Sequence, residues 1–140
     1  MIVLDTNVTS ELMSSSPSPA VTSWVRARSA SELYTTSITL AEIRYGIERL
    51  PGGRRRDLLR SSAEEVFSAF ADHVLAFDAT AAVEYAGIVS SRERSGAPID
   101  GFDAQIAAIC RAYGAVLATR NAKDFRDAGV ELVDPWREGL

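Results

Sequence analysis

Short apolar segments, each about the length of a buried strand, recur along the chain. They cover residues 2–4, 33–35, 74–77, 115–118 and 130–133. The longer segments between them place apolar residues three or four positions apart, which is the spacing of a helix with one buried face. Strands that alternate with helices usually form a parallel sheet. The pattern therefore predicts an α/β fold, in which one domain over residues 1–140 has a central parallel sheet of about five short strands flanked by helices.

Three of the predicted helices have well-defined apolar faces. These faces consist of Ile43, Ile47 and Leu50 in the first helix, of Leu58, Leu59, Val66, Phe67 and Phe70 in the second, and of Phe102, Ile106, Ile109 and Tyr113 in the third. Gly114 follows the third helix, at the position where a glycine commonly ends a helix. Residues 14–19 are rich in serine and proline, which is typical of a connection between two helices.

Four acidic residues lie where strands end or helices begin. Asp5 directly follows the first strand, and each of the other three acids comes three positions after a residue type that often caps a helix. The pairs are Thr39 with Glu42, Asp100 with Asp103, and Asn121 with Asp124. Any single pair is explained by a capping box or by the helix dipole. Because the carboxyl ends of parallel strands meet at one edge of a sheet, we expect all four acids to lie together in the crevice there.

Four carboxylates in one crevice repel one another unless a cation lies between them. Carboxylate oxygens suit Mg²⁺ or Mn²⁺, since these ions keep several waters and need few protein ligands. We expect the helix N-termini to help keep the acids ionised, and so ready to bind metal, at neutral pH. Metal ions held about 3.5–4 Å apart activate a water and stabilise the leaving oxygen in a displacement at phosphorus. The acids therefore predict metal-dependent phosphodiester chemistry.

The composition excludes several other classes of function. The 140 residues include 15 basic and 19 acidic side chains, a net charge of −4 that argues against binding nucleic acid through a broad basic surface. The single cysteine, Cys110, permits no intramolecular disulfide, and it cannot form a zinc site of the usual type with the single histidine, His73. The N-terminus lacks the pattern of a signal peptide, and no segment has the length of a membrane span. We therefore expect a cytoplasmic protein without membrane contact.

Four short motifs resemble those of a known family. They are Asp-Thr-Asn at residues 5–7, Thr-Leu-Ala-Glu-Ile-Arg-Tyr-Gly-Ile at 39–47, Asp-Ala-Gln-Ile-Ala at 103–107 and Thr-Arg-Asn-Ala-Lys-Asp-Phe at 119–125. In this order and spacing the chain resembles the PIN-domain ribonuclease toxins of the VapC family, in particular their FitB-like branch. The resemblance implies a PIN fold and RNA cleavage that depends on Mg²⁺ or Mn²⁺. It also implies a VapB-type antitoxin, a homodimeric toxin within a larger toxin–antitoxin assembly, and contact with DNA only through the antitoxin.

The resemblance also assigns roles to individual residues. The metal-binding and catalytic acids are expected to be Asp5, Glu42, Asp103 and Asp124. Thr6, Asn7 and Asn121 are expected to support them, the first two through hydrogen bonds that orient Asp5. Asn121 departs from the family pattern, because many PIN domains have an acid at that position. This difference leaves open whether one metal ion or two are bound.

Arginines close to the acids are candidates for binding RNA phosphates. Arg44 and Arg120 each lie within two residues of a predicted metal ligand or of its cap, so they are the preferred candidates. Asp100 is interpreted as an N-cap rather than as a metal ligand. The three arginines at residues 54–56 are interpreted as the solvated start of a helix. Whether Asp100 or this run contributes to the site is left open by the sequence.

Two other interpretations are open. A phosphotransfer protein also places acids after its first strand, but it needs a lysine near the later strands, and Lys123 is the only lysine in the chain. Alternatively, a PIN fold with little nuclease activity dimerises and binds a DNA-binding antitoxin. The presence of all four acids argues mildly against a decayed site, although it does not measure turnover.

Overall fold

A five-stranded parallel sheet forms the centre of the molecule. The structure is a computed structural model that describes residues 1–137. Its strands are β1 (Ile2–Leu4), β2 (Leu33–Thr36), β3 (Val74–Leu75), β4 (Val116–Ala118) and β5 (Leu132–Val133). They lie in the order β3-β2-β1-β4-β5, and every neighbouring pair is parallel. The sheet thus extends from β1 to both sides. In such a sheet, a crevice lies beyond the carboxyl end of the central strand.

Helices connect the strands. The α-helices within residues 1–137 are α1 (Thr6–Leu12), α2 (Pro19–Arg26), α3 (Ser37–Glu48), α4 (Arg54–Ala69), α5 (Ala79–Arg94) and α6 (Gly101–Tyr113). Two short 3₁₀ helices, Ala30–Glu32 and Ala122–Phe125, precede β2 and follow β4. No helix in this part of the chain is both long and apolar enough to cross a membrane.

The central strand is covered on both faces. Val3 and Leu4 are completely buried, and successive residues of a strand point to opposite sides of the sheet. Val3 belongs to an apolar cluster with Ile106 of α6, whereas Leu4 belongs to one with Val8 of α1 and Trp24 of α2. The helices therefore fix β1, and with it the residue that follows β1, from both sides.

The predicted α/β fold and its five strands are confirmed, although the two outer strands are shorter than expected. Strand β3 ends at Leu75 rather than at residue 77, and β5 begins at Leu132 rather than at residue 130. Both lie at an edge of the sheet, where a strand has only one partner and short strands are common. Gly114 ends α6 in the left-handed conformation, with φ 64°, as its position predicts. The predicted domain boundary at residue 140 lies outside the described residues.

Some residues of the predicted apolar faces are not buried. Phe102 is 52% exposed, Tyr113 43% and Leu58 57%, and Leu50 lies beyond the end of α3. In α6 the middle of the helix is buried on most sides, because many of the side chains there are small. Phe102 and Tyr113 lie at the two ends of the helix, which reach the surface. The completely buried residues of α6 are Ala104, Ile106, Ala107, Ala108, Ile109 and Cys110.

Candidate active site

Asp5 lies directly after the central strand and is only 4% exposed. It is the N-cap of α1, and its Oδ1 accepts a 2.8 Å hydrogen bond from the main-chain N–H of Thr6. Its Oδ2 accepts hydrogen bonds from Thr119 Oγ1 at 2.8 Å and from Asn7 Nδ2 at 3.4 Å. Three donors therefore fix the orientation of this carboxylate.

The environment of Asp5 acts on its charge in two opposite ways. Burial raises the pKa of Asp5 above its usual value, whereas the hydrogen bonds from Thr119 and Thr6 lower it. The negative charge of Asp124 raises the pKa further, and the net result is a raised pKa. The hydrogen bonds thus orient the carboxylate, but they offset only part of the energetic cost of burying its charge. A nearby cation would favour its ionised form.

Glu42 lies in the second turn of α3 rather than in the first. The helix begins at Ser37, and its N-cap is Thr36, whose Oγ1 accepts a 3.0 Å hydrogen bond from Thr39 N. The predicted capping box of Thr39 with Glu42 is therefore wrong. The physical reason is that β2 runs directly into α3, so that the last residue of the strand caps the helix.

A chain of threonine hydroxyls connects this N-cap to Glu42. Thr36 Oγ1 donates to Thr39 Oγ1 over 3.3 Å, and Thr6 Oγ1 donates to Glu42 Oε1 over 2.8 Å. The hydroxyls of Thr39 and Thr6 are 3.1 Å apart. Each hydroxyl has a single proton, and that of Thr6 is used on Glu42, so Thr39 must be the donor to Thr6. All three hydroxyls therefore donate towards the carboxylate, and such a chain strengthens each of its bonds.

Burial also raises the pKa of Glu42, although the hydrogen bond from Thr6 lowers it. The charges of Asp5 and Asp100 raise this pKa as well. Because these two acids belong to other segments of the chain, their effect shows that Glu42 shares one electrostatic environment with them.

Asp103 occupies the third position of α6, as the sequence predicts. Asp100 is the N-cap, and its Oδ2 accepts hydrogen bonds from Phe102 N at 3.1 Å and from Asp103 N at 3.3 Å. The interpretation of Asp100 as an N-cap is confirmed. The cap fixes the start of α6 and thereby the direction in which Asp103 leaves the main chain.

Burial raises the pKa of Asp103 to about 7, and the negative charges of four neighbouring carboxylates contribute to this shift. In decreasing order of effect, these neighbours are Asp5, Asp100, Asp124 and Glu42. No hydrogen bond lowers this pKa. The start of α6 therefore does not offset burial and repulsion at Asp103, whose pKa of about 7 lies close to neutral pH in the absence of a cation.

Asp124 belongs to the 3₁₀ helix that follows β4. The Asn121 side chain makes no capping hydrogen bond there, and its main-chain oxygen accepts a 3.0 Å hydrogen bond from Asp124 N instead. Asn121 thus begins the helix through its main chain, in contrast to the predicted side-chain cap. The charge of Asp124 raises the pKa of both Asp5 and Asp103, which places its carboxylate in the same cluster.

Thr119 is completely buried and connects Asp5 with the segment that begins at Asn121. Its hydroxyl donates to Asp5 and accepts hydrogen bonds from Asn121 N at 3.1 Å and from Asn7 Nδ2 at 3.3 Å. Asn7 Oδ1 in turn accepts a 3.3 Å hydrogen bond from Arg120 N. The motif at residues 119–125 begins with Thr119, but its contact with Asp5 was not predicted because it depends on the pairing of β1 with β4. A second signal is its position directly after a strand that ends at the same edge as Asp5.

The two candidate arginines lie near the cluster without contacting its carboxylates. The guanidinium of Arg120 lies over the ring of Trp136, 4.8 Å from the ring centroid. The charge of Arg44, on α3, contributes to lowering the pKa of Glu48, for which Arg60 is the main cause. Helix α4 begins at Arg54, and residues 54 and 55 are exposed, as expected for a solvated helix start. Arg56 departs from this expectation, because it is partly buried and its Nε has no hydrogen-bond partner among residues 1–137. A role of Arg44 and Arg120 in binding phosphate stays a prediction.

Glu42 is accessible from two cavities. The first has a volume of 340 Å³, and Thr6, Ser10 and Met13 are among its lining residues. The second has a volume of 610 Å³ and is lined by Ala41, Glu42, Tyr45 and Phe102. Tyr45 is 68% exposed and Phe102 52%. Aromatic surface is therefore available to a ligand directly beside a site carboxylate.

The donor set fits a hard divalent cation. It consists of carboxylate oxygens supported by hydroxyl and amide groups, and three of its acids have a raised pKa that a cation would lower. Within residues 1–137, no three or more Asp, Glu, His or Cys side chains are arranged to hold a metal ion directly. An ion that keeps several waters and uses only one or two carboxylates as direct ligands, as Mg²⁺ does, is compatible with this geometry.

Known proteins are similar to this chain in sequence and in fold. Residues 2–131 match the PIN domain family. The chain is 42% identical to "VapC ribonuclease Y4jK" of Sinorhizobium fredii, with 97% of this chain and 98% of the relative covered. A crystal structure of FitAcB from Neisseria gonorrhoeae matches with a TM-score of 0.90 and 34% identity, covering 98% of this chain and 99% of that chain.

A structure of FitAB bound to an IR36 DNA fragment matches with a TM-score of 0.89 and 34% identity, over 97% of this chain and 96% of that chain. These likenesses extend over the whole sheet and over all four segments that carry the acids. They set aside the phosphotransfer interpretation, which needs a different fold family. The chain belongs to the PIN-domain family, and its relatives are VapC and FitB toxins.

Proposed function

We propose that the chain is the toxin of a type II toxin–antitoxin system and that it cleaves RNA as an endoribonuclease dependent on Mg²⁺ or Mn²⁺. The observation that supports this proposal most strongly is a cluster of four acids, Asp5, Glu42, Asp103 and Asp124. Burial and mutual repulsion raise the pKa of the first three. Strongly shifted acids in a crevice are typical of functional sites. The name of the VapC ribonuclease relative supports RNA as the substrate.

The four acids would hold the metal ion, either directly or through its waters. When bound, the ion activates a water and stabilises the oxygen that leaves phosphorus. Thr119, Asn7 and the main-chain N–H of Thr6 keep the Asp5 carboxylate in one orientation. The hydroxyl chain does the same for Glu42, whose raised pKa suits it to accept a proton from the attacking water. Arg44 and Arg120 are the proposed contacts for RNA phosphates.

A VapB-type antitoxin is the proposed partner. The matched FitAB structure is bound to DNA, and the net charge of −4 argues against a broad basic surface with which this chain would itself hold DNA. We therefore propose that DNA is contacted through the antitoxin. The toxin acts as a homodimer within the larger assembly, and its site of action is the cytoplasm, where its RNA substrates are.

The test is RNA cleavage by the purified, partner-free chain in the presence of Mg²⁺, Mn²⁺ or EDTA. Labelled transfer RNA and a ribosomal RNA fragment serve as substrates. The Asp5→Asn/Asp103→Asn double variant removes two site carboxylates. The matched control, Asp57→Asn/Asp72→Asn, removes two exposed carboxylates away from the cluster. We expect discrete metal-dependent cuts by the wild type and by the control, and no cuts by the site variant.

Equal cleavage by the site variant would show that the observed cuts do not depend on these acids, so that they come either from a contaminating nuclease or from another site, and the proposal would fail. A folded wild type that binds Mn²⁺ but cuts neither RNA would instead favour the second candidate, a catalytically weak PIN module. The DNA-bound FitAB relative supports that candidate. In that case, the complex with the antitoxin should still bind operator DNA after Asp5→Asn/Asp103→Asn substitution.

A further inference from the structure

Arg92, near the end of α5, is a buried cation with 8% of its surface exposed. Burying a guanidinium is costly unless hydrogen bonds satisfy it. Within residues 1–137, ion pairs form at Arg60, Arg111 and Arg137, and none of them includes Arg92. The guanidinium of Arg92 is bound by main-chain carbonyl oxygens instead. Such an arrangement fixes the main chain rather than neutralising a charge.

The carbonyls bound by Arg92 belong to two segments that carry site acids. Its Nε donates to Ala97 O over 2.6 Å, in the connection that leads to the N-cap of α6. Its Nη1 donates to Asp124 O over 3.1 Å and to Arg126 O over 2.9 Å. One side chain therefore joins the approach to Asp103 with the segment that presents Asp124.

The segment around Asp124 has little regular structure of its own. Its 3₁₀ helix has four residues and is followed by the long hydrogen bonds Arg126 N to Lys123 O at 3.4 Å and Ala128 N to Phe125 O at 3.2 Å. Asp127 has φ 60°, in the left-handed region that residues other than glycine rarely adopt. Such a conformation persists where surrounding contacts fix it. Arg92 provides contacts on the residue directly before it.

We propose that Arg92 is a positioning residue for the metal site: it holds the main chain at Asp124 so that this carboxylate stays beside Asp5 and Asp103. The inference rests on the proposed function, because it assumes that Asp124 helps to bind the ion. The fork of the guanidinium, with donors that point in different directions, reaches carbonyls in both segments at once. Lysine has a single terminal nitrogen and cannot reproduce that geometry.

The first test measures how well the main chain around Asp124 is protected from hydrogen exchange, without RNA or metal. Amide hydrogen exchange is compared among the wild type, Arg92→Met, Arg92→Lys and the control Arg111→Met. Arg111 also donates to this segment, at Ala128 O over 3.4 Å, and pairs with Glu84 at 3.0 Å, but it does not contact Asp124. We expect exchange of the Asp124 and Arg126 amides to be at least 5-fold faster in both Arg92 variants and unchanged in Arg111→Met. Unchanged exchange in Arg92→Met, or equal acceleration in the control, would overturn the proposal.

The second test asks whether Arg92 acts through Asp124. Mn²⁺ affinity is measured by titration for Arg92→Met, Asp124→Asn and the double variant. We expect each single variant to bind at least 10-fold more weakly than the wild type, and the double variant to bind no more weakly than Asp124→Asn. Losses that multiply in the double variant would show that Arg92 acts independently of Asp124. Where Arg92→Met does not fold, Arg92→Lys keeps the charge and most of the packing and takes its place.

The outcomes separate this inference from the proposed function. A wild type that binds Mn²⁺ but cuts no RNA removes the nuclease assignment and leaves the exchange and affinity results to decide the role of Arg92. A wild type that cuts RNA, together with Arg92 variants that have normal exchange and Mn²⁺ affinity, keeps the nuclease and removes the positioning role. A wild type that binds no Mn²⁺ overturns both.

Discussion

Asp5 and Asp103 belong to the same cluster of acids, yet their surroundings affect their charges differently. Asp5 is almost fully buried, and three donors hold its carboxylate. Asp103 is less buried, but no hydrogen bond lowers its pKa, which burial and four negative neighbours raise to about 7. Hydrogen bonds from the protein orient the Asp5 carboxylate. The Asp103 carboxylate has no such support, so its charge depends more strongly on whether a cation is bound nearby.

This difference separates two tasks within the proposed metal site. A carboxylate with fixed geometry defines where an ion sits, and its supporting hydrogen bonds are part of the binding site. A carboxylate with a raised pKa favours a cation strongly, because the ion removes the repulsion that the empty arrangement creates. We therefore expect changes at both acids to reduce catalysis, and changes at Asp103, whose carboxylate lacks compensating hydrogen bonds, to affect metal-free stability more than changes at Asp5.

The largest expected effect is that of Asp5→Asn. Asparagine can still cap α1 but cannot supply the negative charge, so we expect RNA cleavage to fall by at least about 1,000-fold while the fold is kept. Cleavage rates and thermal unfolding, measured on the same sample, test this. Activity within a few-fold of the wild type would mean that Asp5 does not define the ion position.

Thr119→Val removes one donor from Asp5 at nearly constant volume. A hydrogen bond to a charged group is worth about 1.5–3 kcal/mol, so we expect cleavage at fixed low Mg²⁺ to fall about 10- to 100-fold. Saturating Mg²⁺ should recover part of this loss, since a weaker site needs more metal. A loss that no Mg²⁺ concentration reduces would point to a role of Thr119 other than holding Asp5.

Metal-free stability should depend on pH through Asp103. Its pKa is 3.8 in ordinary surroundings and about 7 in the folded chain, so the folded state binds more protons than the unfolded state between these values. Stability is therefore highest below about pH 4 with respect to this group and falls as pH rises to about 7. We expect Asp103→Asn to remove this contribution and to stabilise the metal-free protein at pH 7.5 by about 1–2 kcal/mol, after allowance for solvent screening.

Urea unfolding in EDTA at pH 5 and pH 7.5 measures this effect, with Asp72→Asn as the exposed control. In the wild type, Mg²⁺ should restore stability more at the higher pH. If Asp103→Asn were equally or less stable than the wild type at pH 7.5, the distinction between the two acids would disappear.

The smallest expected effect on the fold is that of Phe102→Ala, next to Asp103. Because Phe102 is 52% exposed, we expect stability to change by less than about 0.5 kcal/mol. Stacking of a base on an aromatic ring is worth about 1–3 kcal/mol, so RNA binding should nevertheless weaken by about 5-fold or more. RNA affinity measured in Ca²⁺ on the folded variant, beside the exposed control Leu58→Ala, tests this. Equal affinity would show that this aromatic surface does not contact RNA.

Local signals in the sequence predict much of the fold and the places of the candidate acids along it. The central strand is a run of apolar residues, Asp100 lies at a typical N-cap position, and Gly114 is a typical helix end, so each is visible within a few residues. The choice between Thr36 and Thr39 as the cap of α3 was not visible in this way. It depends on where β2 ends, and therefore on how β2 pairs with β1.

The supporting contacts required the three-dimensional structure. Thr119 reaches Asp5 across 114 positions of sequence, and Thr6 reaches Glu42 across 36. The side chain of Arg92 binds carbonyl oxygens, which every residue possesses, so no residue type marks its partners. The raised pKa of Asp103 is likewise a collective property, since it arises from burial and from charges on several other segments.

The position of β1 in the middle of the sheet has a consequence for how the protein is made. The central strand is Ile2–Leu4, but one of its two neighbours, β4, is Val116–Ala118, which is synthesised much later. A nascent chain that has not yet emerged beyond this strand lacks both the Thr119 donor to Asp5 and the Asp124 carboxylate. The proposed site is therefore completed only after β4 and the segment that follows it have been synthesised, and we expect shorter translation products to be inactive.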